Sequence, residues 1–454
     1  MPVVTTAEGA VRGRATEHAH VFSAVPHAAP PTGADRFAAP RPHPPWPGVR
    51  DATRPGPTAP QPHRDGFGAL DMSPYFGPGW VRGEDYLTVD VWAPRAAGGC
   101  PVMVFVHGGG FTAGAARAPL YDGSAFARDG VVLVTVNYRL GVAGFLDLPG
   151  APRNRGLLDV VSALRWVRRN IAAFGGDPDN VTVFGQSAGA TITGALLSTP
   201  EADGLYSRAI VQSGSGLGAF TPEQAARVTR AAADRLGVPA TVDGVAAVPD
   251  ERLVRLVPEL TGLDLRTADH TDPLVGLSPF SLVLDRQPAD ADDSRVPLLI
   301  GANTEEGNLY LAPQGALDTT TADDVRALAQ RVGGDPDALR ARRRAGADWG
   351  VLRSSLLSEA LFGAGTRALA AAHPGPVHTY EFGWRSPALG GRLGAAHVVE
   401  LPFVFDAVGA PGLHGARGLL GDAGDAGLAS RVHRAWVEFA RTGDPGWAGE
   451  HRFG

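Results

Sequence analysis

The sequence predicts an α/β fold: a mostly parallel central sheet flanked by helices, with a helical cap or insertion. Three observations predict it. The runs VMVFV (102–106) and VVLVTV (131–136) are short, continuous and rich in β-branched residues, which suits strands buried on both faces of a parallel sheet. Helical patterns alternate with such runs, which implies crossover connections. Lastly, VTVFGQSAGA (181–190) carries an apolar strand straight into small residues through a single serine flanked by glycines.

The elements follow in order. Residues 26 to 62 are Pro-rich and read as an ordered irregular segment over a domain surface. LTVDVWAP (87–94) alternates and predicts a half-buried strand. In GLLDVVSALRWVRRNIAAFG (156–175), Leu157, Val161, Leu164 and Ile171 recur at helical spacing, with Arg165, Arg168 and Arg169 off that stripe. VTVF is then a strand, SAGATITGALL a helix and RAIVQSG a strand. Residues of about 216–295 carry polar helical patterns (PEQAARVTRAAADRLG, DERLVRLVPEL) and predict a cap or insertion. VPLLIG (296–301) returns to the sheet, VHTYEF (377–382) is a later strand, and LASRVHRAWVEFARTG (428–443) a late amphipathic helix. No internal repeat is present, so residues 1–454 are expected to form one domain.

Composition narrows the chemistry. The chain has 454 residues, 44% of them hydrophobic, and a formal net charge of −6, which opposes a dedicated nucleic-acid binder. None of its 41 basic residues is lysine, which excludes a Schiff-base lysine, a phosphate-loop lysine and a Ser–Lys dyad. Its one cysteine, Cys100, forbids an intrachain disulfide. No apolar run approaches the roughly 18 residues of a membrane helix. The start, MPVVTTAEGAVRGRA, lacks a charged-then-apolar leader pattern, so a cytoplasmic protein is expected.

The glycine-flanked Ser187 is the candidate nucleophile. Gly185 and Gly189 permit close approach of strand and helix, so the hydroxyl projects from a tight turn at the C-terminal edge of the sheet. A chain with 60 glycines can produce G-x-S-x-G by chance, but it occurs once, in the strand–turn–helix setting that suits it. A hydroxyl needs a base, an orienting acid and oxyanion donors. The glycine run of HGGGF follows a buried strand, so Gly109 and Gly110, with the N–H of Ala188, are the candidate donors. The acid and base should follow the serine in that order. LLIGANTEEG offers Glu305 or Glu306. Of the 13 histidines, six lie beyond: His373, His378, His397, His414, His433 and His451. His397, in a small-residue loop before an apolar segment, suits a site mouth best. His378 lies in a strand, and His433 on an amphipathic helix as a surface or packing residue.

EGAVRG, APPTGADRF, GEDYLTVDVWAP, HGGGF, NYRLGVAGFL, VTVFGQSAGA, RAIVQSGS, LLIGANTEEG and AAHVVELPFVFD, in this order, resemble the type-B carboxylesterase family. That family includes bacterial p-nitrobenzyl esterases and the cholinesterases. The resemblance implies the α/β-hydrolase fold and a Ser-His-Glu triad: Ser187 as nucleophile, Glu306, just before Gly307, as acid, and His397 as base. It also suggests Ser213 as a hydroxyl near the acid. It implies no metal and no organic cofactor, and a small-molecule ester as the partner, with neither nucleic acid nor membrane. Tyr86 stands where many relatives have a disulfide cysteine, and Asp90 where they have asparagine. The same acyl-enzyme machinery would serve amides or carbamates. A non-catalytic recognition domain of this fold is the alternative class; the presence of all three triad residues opposes it.

Overall fold

A computed structural model describes residues 1–96, 98–335, 338, 341–342 and 344–454. Its centre is a ten-stranded sheet, counted among the described residues. In chain order the strands are β1 (Arg14–Ala15), β2 (Ala19–Pro26), β3 (Thr88–Pro94), β4 (Cys100–Val106), β5 (Val132–Val136), β6 (Gly176–Gln186), β7 (Arg208–Gln212), β8 (Leu298–Asn303), β9 (Val377–Phe382) and β10 (Glu450–Phe453). Across the sheet they run β1-β2-β3-β5-β4-β6-β7-β8-β9-β10. The seven strands from β4 to β10 are mutually parallel, while β1, β2 and β3 complete one edge antiparallel.

Strand periodicity explains the continuous apolar runs. Val102, Val104 and Val106 of β4 enter one hydrophobic cluster, and Met103 and Phe105 the other. Leu298 and Ile300 of β8 divide from Leu299 in the same way. Successive side chains leave opposite faces, so a strand covered on both sides must be apolar at every position. Phe105 anchors the second cluster, with Tyr121, Phe184 and Phe405 rings 4.7, 4.9 and 5.1 Å away. Truncating such a residue to alanine costs about 3–5 kcal/mol.

Helix α1 (Arg155–Asn170) buries its predicted stripe against the first cluster. Helix α2 (Ala188–Leu196) is buried along its whole length, hence its small residues. Helices α3 (Pro222–Leu236) and α4 (Asp250–Glu259) follow, and Val228, Ala232, Leu253 and Leu256 pack into the same cluster as the sheet. A capping box at Thr221 and Gln224 starts α3, and Gly237, at φ 67°, ends it. Helix α5 (Ala426–Thr442) covers the opposite face through Leu428, Val432, Trp436 and Phe439.

Two expectations change. β3 is buried from Thr88 to Ala93, not half-buried, because it lies between β2 and β5 with both faces covered. Strands β1, β2 and β10 were not anticipated; β2 is broken by a register shift between Phe22 and Val25, which hides its alternation. Of the two roles expected for His433, packing holds: it is buried, its Nδ1 2.7 Å from the Val404 carbonyl oxygen.

Candidate active site

The strand β6 turns into α2 at Ser187, whose backbone sits at φ 58°, ψ −124°. A non-glycine residue there costs on the order of 1–3 kcal/mol and persists only where its surroundings force it. The surroundings are tight. A Cβ on Gly189 would lie 2.0 Å from the Val106 carbonyl oxygen, and one on Gly185 would lie 2.4 Å from the Gly189 oxygen. The Ser187 N–H donates to the Gln212 carbonyl (3.0 Å), fastening the turn to β7.

Three sequence-predicted residues meet at this turn. His397 Nε2 is 2.8 Å from Ser187 Oγ, and His397 Nδ1 is 2.6 Å from Glu306 Oε2. Both His397 and Glu306 are buried. Glu306 Oε1 accepts from Ser213 Oγ (2.5 Å) and from the Asn303 N–H (2.7 Å). Its neighbour Glu305 faces elsewhere: Oε2 accepts from the Ala395 N–H (2.9 Å) and Oε1 pairs with Arg385. The imidazole lies flat on Phe362, with ring centres 4.3 Å apart. Of the other histidines considered, His373 is held by Asp292 and the Val296 carbonyl, and His378 by the Trp447 carbonyl.

The glycine loop lies beside Ser187. Gly109 and Gly110 adopt φ 118° and 63°. Among the described residues, no acceptor takes their N–H groups or that of Ala188. The loop is braced from NYRLG. Tyr138 Oη donates to the His107 carbonyl (2.7 Å) and its ring stacks on His107 at 4.5 Å. Burial pushes the His107 pKa down to about 4, so the ring is neutral near pH 7. Arg139 forms a fully buried bidentate pair with Asp159, through Nε to Oδ2 (2.8 Å) and Nη2 to Oδ1 (2.7 Å). That pair fixes the segment that carries Tyr138.

Sequence reasoning missed Glu400 and Asn303. Asn303 Nδ2 donates to Glu400 Oε2 and to the Ala396 carbonyl, both at 2.7 Å. Burial, then the charge of Glu306, raises the Glu400 pKa to about 7. A lone acid inside the apolar run VVELPFVF was the available signal. Asp90, the departure noted above, is likewise buried, with its pKa raised to about 6, and accepts from the Ala24 N–H at 2.7 Å. Among the described residues, no group of three or more His, Cys, Asp or Glu could hold a metal ion, and no helix is long and apolar enough to cross a membrane.

Residues of both sheet faces line a partly open pocket with a cavity volume of about 90 Å³. Ser187, Gly109, Gly110 and His397 line it together with Phe76, Leu277, Tyr310 and Phe362. The parallel sheet, with a serine held on a strained strand-to-helix elbow at its edge, defines an α/β hydrolase.

The comparisons narrow this further. Residues 1–453 match the Carboxylesterase family. The chain is 38% identical to the para-nitrobenzyl esterase of Bacillus subtilis (strain 168), with 98% of this chain and 90% of that protein aligned. It is 37% identical to the phenmedipham hydrolase of Pseudarthrobacter oxydans, over the same shares. A solved Geobacillus stearothermophilus carboxylesterase superposes with TM-score 0.83 at 35% identity, covering 99% of this chain and 92% of that one. The chain belongs to the carboxylesterase family, as an ester hydrolase of the α/β-hydrolase fold.

Proposed function

We propose that the protein hydrolyses small carboxylic esters through an acyl-enzyme formed on Ser187. The observation that supports this best is the unbroken series Ser187 Oγ, His397, Glu306 at 2.8 and 2.6 Å. Ser187 Oγ attacks the ester carbonyl carbon while His397 Nε2 takes its proton. The negative charge that collects on the carbonyl oxygen is met by the N–H groups of Gly109, Gly110 and Ala188. Collapse of the tetrahedral intermediate breaks the bond to the alcohol oxygen, and His397 returns the proton to it. Water then adds to the acyl carbon by the same route and releases the acid and free Ser187. Glu306 holds the imidazole with Nδ1 protonated and stabilises the imidazolium. Ser213 keeps the carboxylate oriented, and the apolar walls suit uncharged parts of the substrate. Among relatives, the para-nitrobenzyl esterase name favours esters and the phenmedipham hydrolase name extends the range to the substrate it states.

A fluorophosphonate probe should modify Ser187 stoichiometrically and abolish activity on a series of p-nitrophenyl esters. Labelling at another residue, or unmodified Ser187 with activity lost, would remove the proposal. Matched anilides run in parallel decide whether amides share the machinery; faster turnover of the anilides would make amides the true substrates.

A further inference from the structure

The pocket holds one charge that this reaction scheme does not use. Arg64 lines it together with Ser187, Gly109, Gly110 and His397. Its Nη1 is 3.9 Å from the point where a Cβ on Gly110 would stand, so the guanidinium flanks the glycine loop. The side chain is partly buried between aromatic rings, 5.4 Å from the Phe67 centre and 4.8 Å from that of Phe76.

Its hydrogen-bonding is far from complete. Arg64 makes one long contact, Nη1 to the Gly109 carbonyl at 3.5 Å, and no ion pair among the described residues. The pocket lining contains no aspartate or glutamate, and the adjacent Asp65 pairs with His63 instead. Among the described residues, the two fully buried arginines, Arg139 and Arg155, are far better supplied. Arg139 is paired with Asp159, and Arg155 donates to the carbonyls of Ala143, Pro152 and Leu146 at 2.7 to 2.8 Å. A guanidinium carries five N–H donors in a planar fork and stays charged, so the partly exposed Arg64 presents free donors to whatever enters the pocket. The same fork matches a carboxylate bidentately, and the apolar walls strengthen that attraction.

We propose that Arg64 recognises a carboxylate on the substrate, and that the preferred substrates are esters carrying a second, free carboxylate a few atoms from the scissile carbonyl. This rests on the assignment of Ser187 as nucleophile. The carboxylate can belong to the acyl or the alcohol portion, and the chemistry of recognition is the same for both.

Two matched pairs separate these sources. Monoethyl glutarate against ethyl pentanoate places the charge on the acyl side; 4-acetoxybutanoate against butyl acetate places it on the alcohol side. In at least one pair the wild-type enzyme should favour the anion by about tenfold or more in kcat/KM. That advantage should shrink as ionic strength rises. Arg64→Met keeps the stem and removes the charge. It should lower kcat/KM for the favoured anion by about ten- to a hundredfold and leave the neutral partner within about threefold. Arg64→Lys should recover part of the loss. Equal losses on anion and neutral ester would assign Arg64 to packing against Phe67 and Phe76 and overturn the proposal. So would wild-type preference for the neutral ester in both pairs, a measurement that needs no variant. If fluorophosphonate modifies Ser187 and the neutral esters turn over, such a result defeats this inference alone; hydrolysis of none of the four esters would defeat the esterase assignment with it.

Discussion

Replacing Glu306 by glutamine tests the site at a single atom. In the structure the carboxylate accepts three hydrogen bonds: Oε1 takes Ser213 Oγ (2.5 Å) and the Asn303 N–H (2.7 Å), and Oε2 takes His397 Nδ1 (2.6 Å). A glutamine has one acceptor oxygen. If that oxygen keeps the Ser213 and Asn303 donors, its NH2 group faces His397 Nδ1. The imidazole must then carry its proton on Nε2, 2.8 Å from Ser187 Oγ, where it can no longer accept one. The opposite rotamer keeps the tautomer but sets NH2 against the buried Asn303 N–H, at about 1–3 kcal/mol for the unsatisfied donor. The first arrangement therefore wins, and the expected loss in kcat is about 10⁴-fold, near 5 kcal/mol of barrier. Glu305→Gln is the control. Glu305 braces Ala395 and pairs with Arg385 at a partly exposed position, a pairing worth at most about 1 kcal/mol, so kcat should fall by less than about tenfold. Both variants are measured on one p-nitrophenyl ester at saturation, with circular dichroism to establish folding. A Glu306→Gln enzyme within tenfold of wild type, or a worse-damaged Glu305→Gln enzyme, would refute the reasoning.

Three further outcomes follow from the same geometry. Glu400 keeps its proton in the folded protein up to about pH 7, above the ordinary glutamate value of 4.5, so its contribution to stability falls as pH rises through that window. Glu400→Gln removes this loss: its thermal midpoint relative to wild type should rise from about pH 5 to about pH 8, reflecting roughly 3 kcal/mol, and a pH-independent difference would contradict the assignment. Ser213→Ala removes one donor to the Glu306 carboxylate and should cost about 1.5–3 kcal/mol of stability, with kcat reduced by about tenfold or less, because the Asn303 N–H remains. Gly189→Ala sets a methyl group 2.0 Å from the Val106 carbonyl oxygen and should prevent recovery of active protein, whereas Gly110→Ala, at φ 63° with no atom nearer than 3.9 Å, should cost only about 1–2 kcal/mol and remain active. Comparable yields and rates from the two glycine variants would be inconsistent with the packing described.

Legibility in the sequence followed the range of the interactions. Ser187 could be read because its requirements are local: a strand, two glycines and a helix within ten residues. The parallel core strands were legible for the same reason, since burial on both faces marks every residue of VMVFV. Glu305 and Glu306 could not be separated by spacing, because what divides them is orientation, one toward Ala395 and Arg385, the other inward to His397. Only the family resemblance selected between them. Arg64 carries no local signal, as its environment is assembled from Phe67, Phe76 and the glycine loop 45 residues away. β2 escaped because its bulge at Ser23 and Ala24, the latter at φ 55°, disrupts the period on which strand recognition depends.

The contact between Ser187 and His397 spans the two halves of the core. Ala188, Ala190 and Ile192, beside the serine, belong to the hydrophobic cluster on one face of the sheet; Ala396, Val398 and Val399, beside the histidine, belong to that on the other. The 2.8 Å between them is thus a gauge of how well two independently packed layers are aligned. A slip of about one ångström between layers would leave helices and strands intact and still separate proton donor from acceptor. Turnover is accordingly a finer thermometer than secondary structure: on warming, the enzyme should fall silent while its circular dichroism is still that of the native protein.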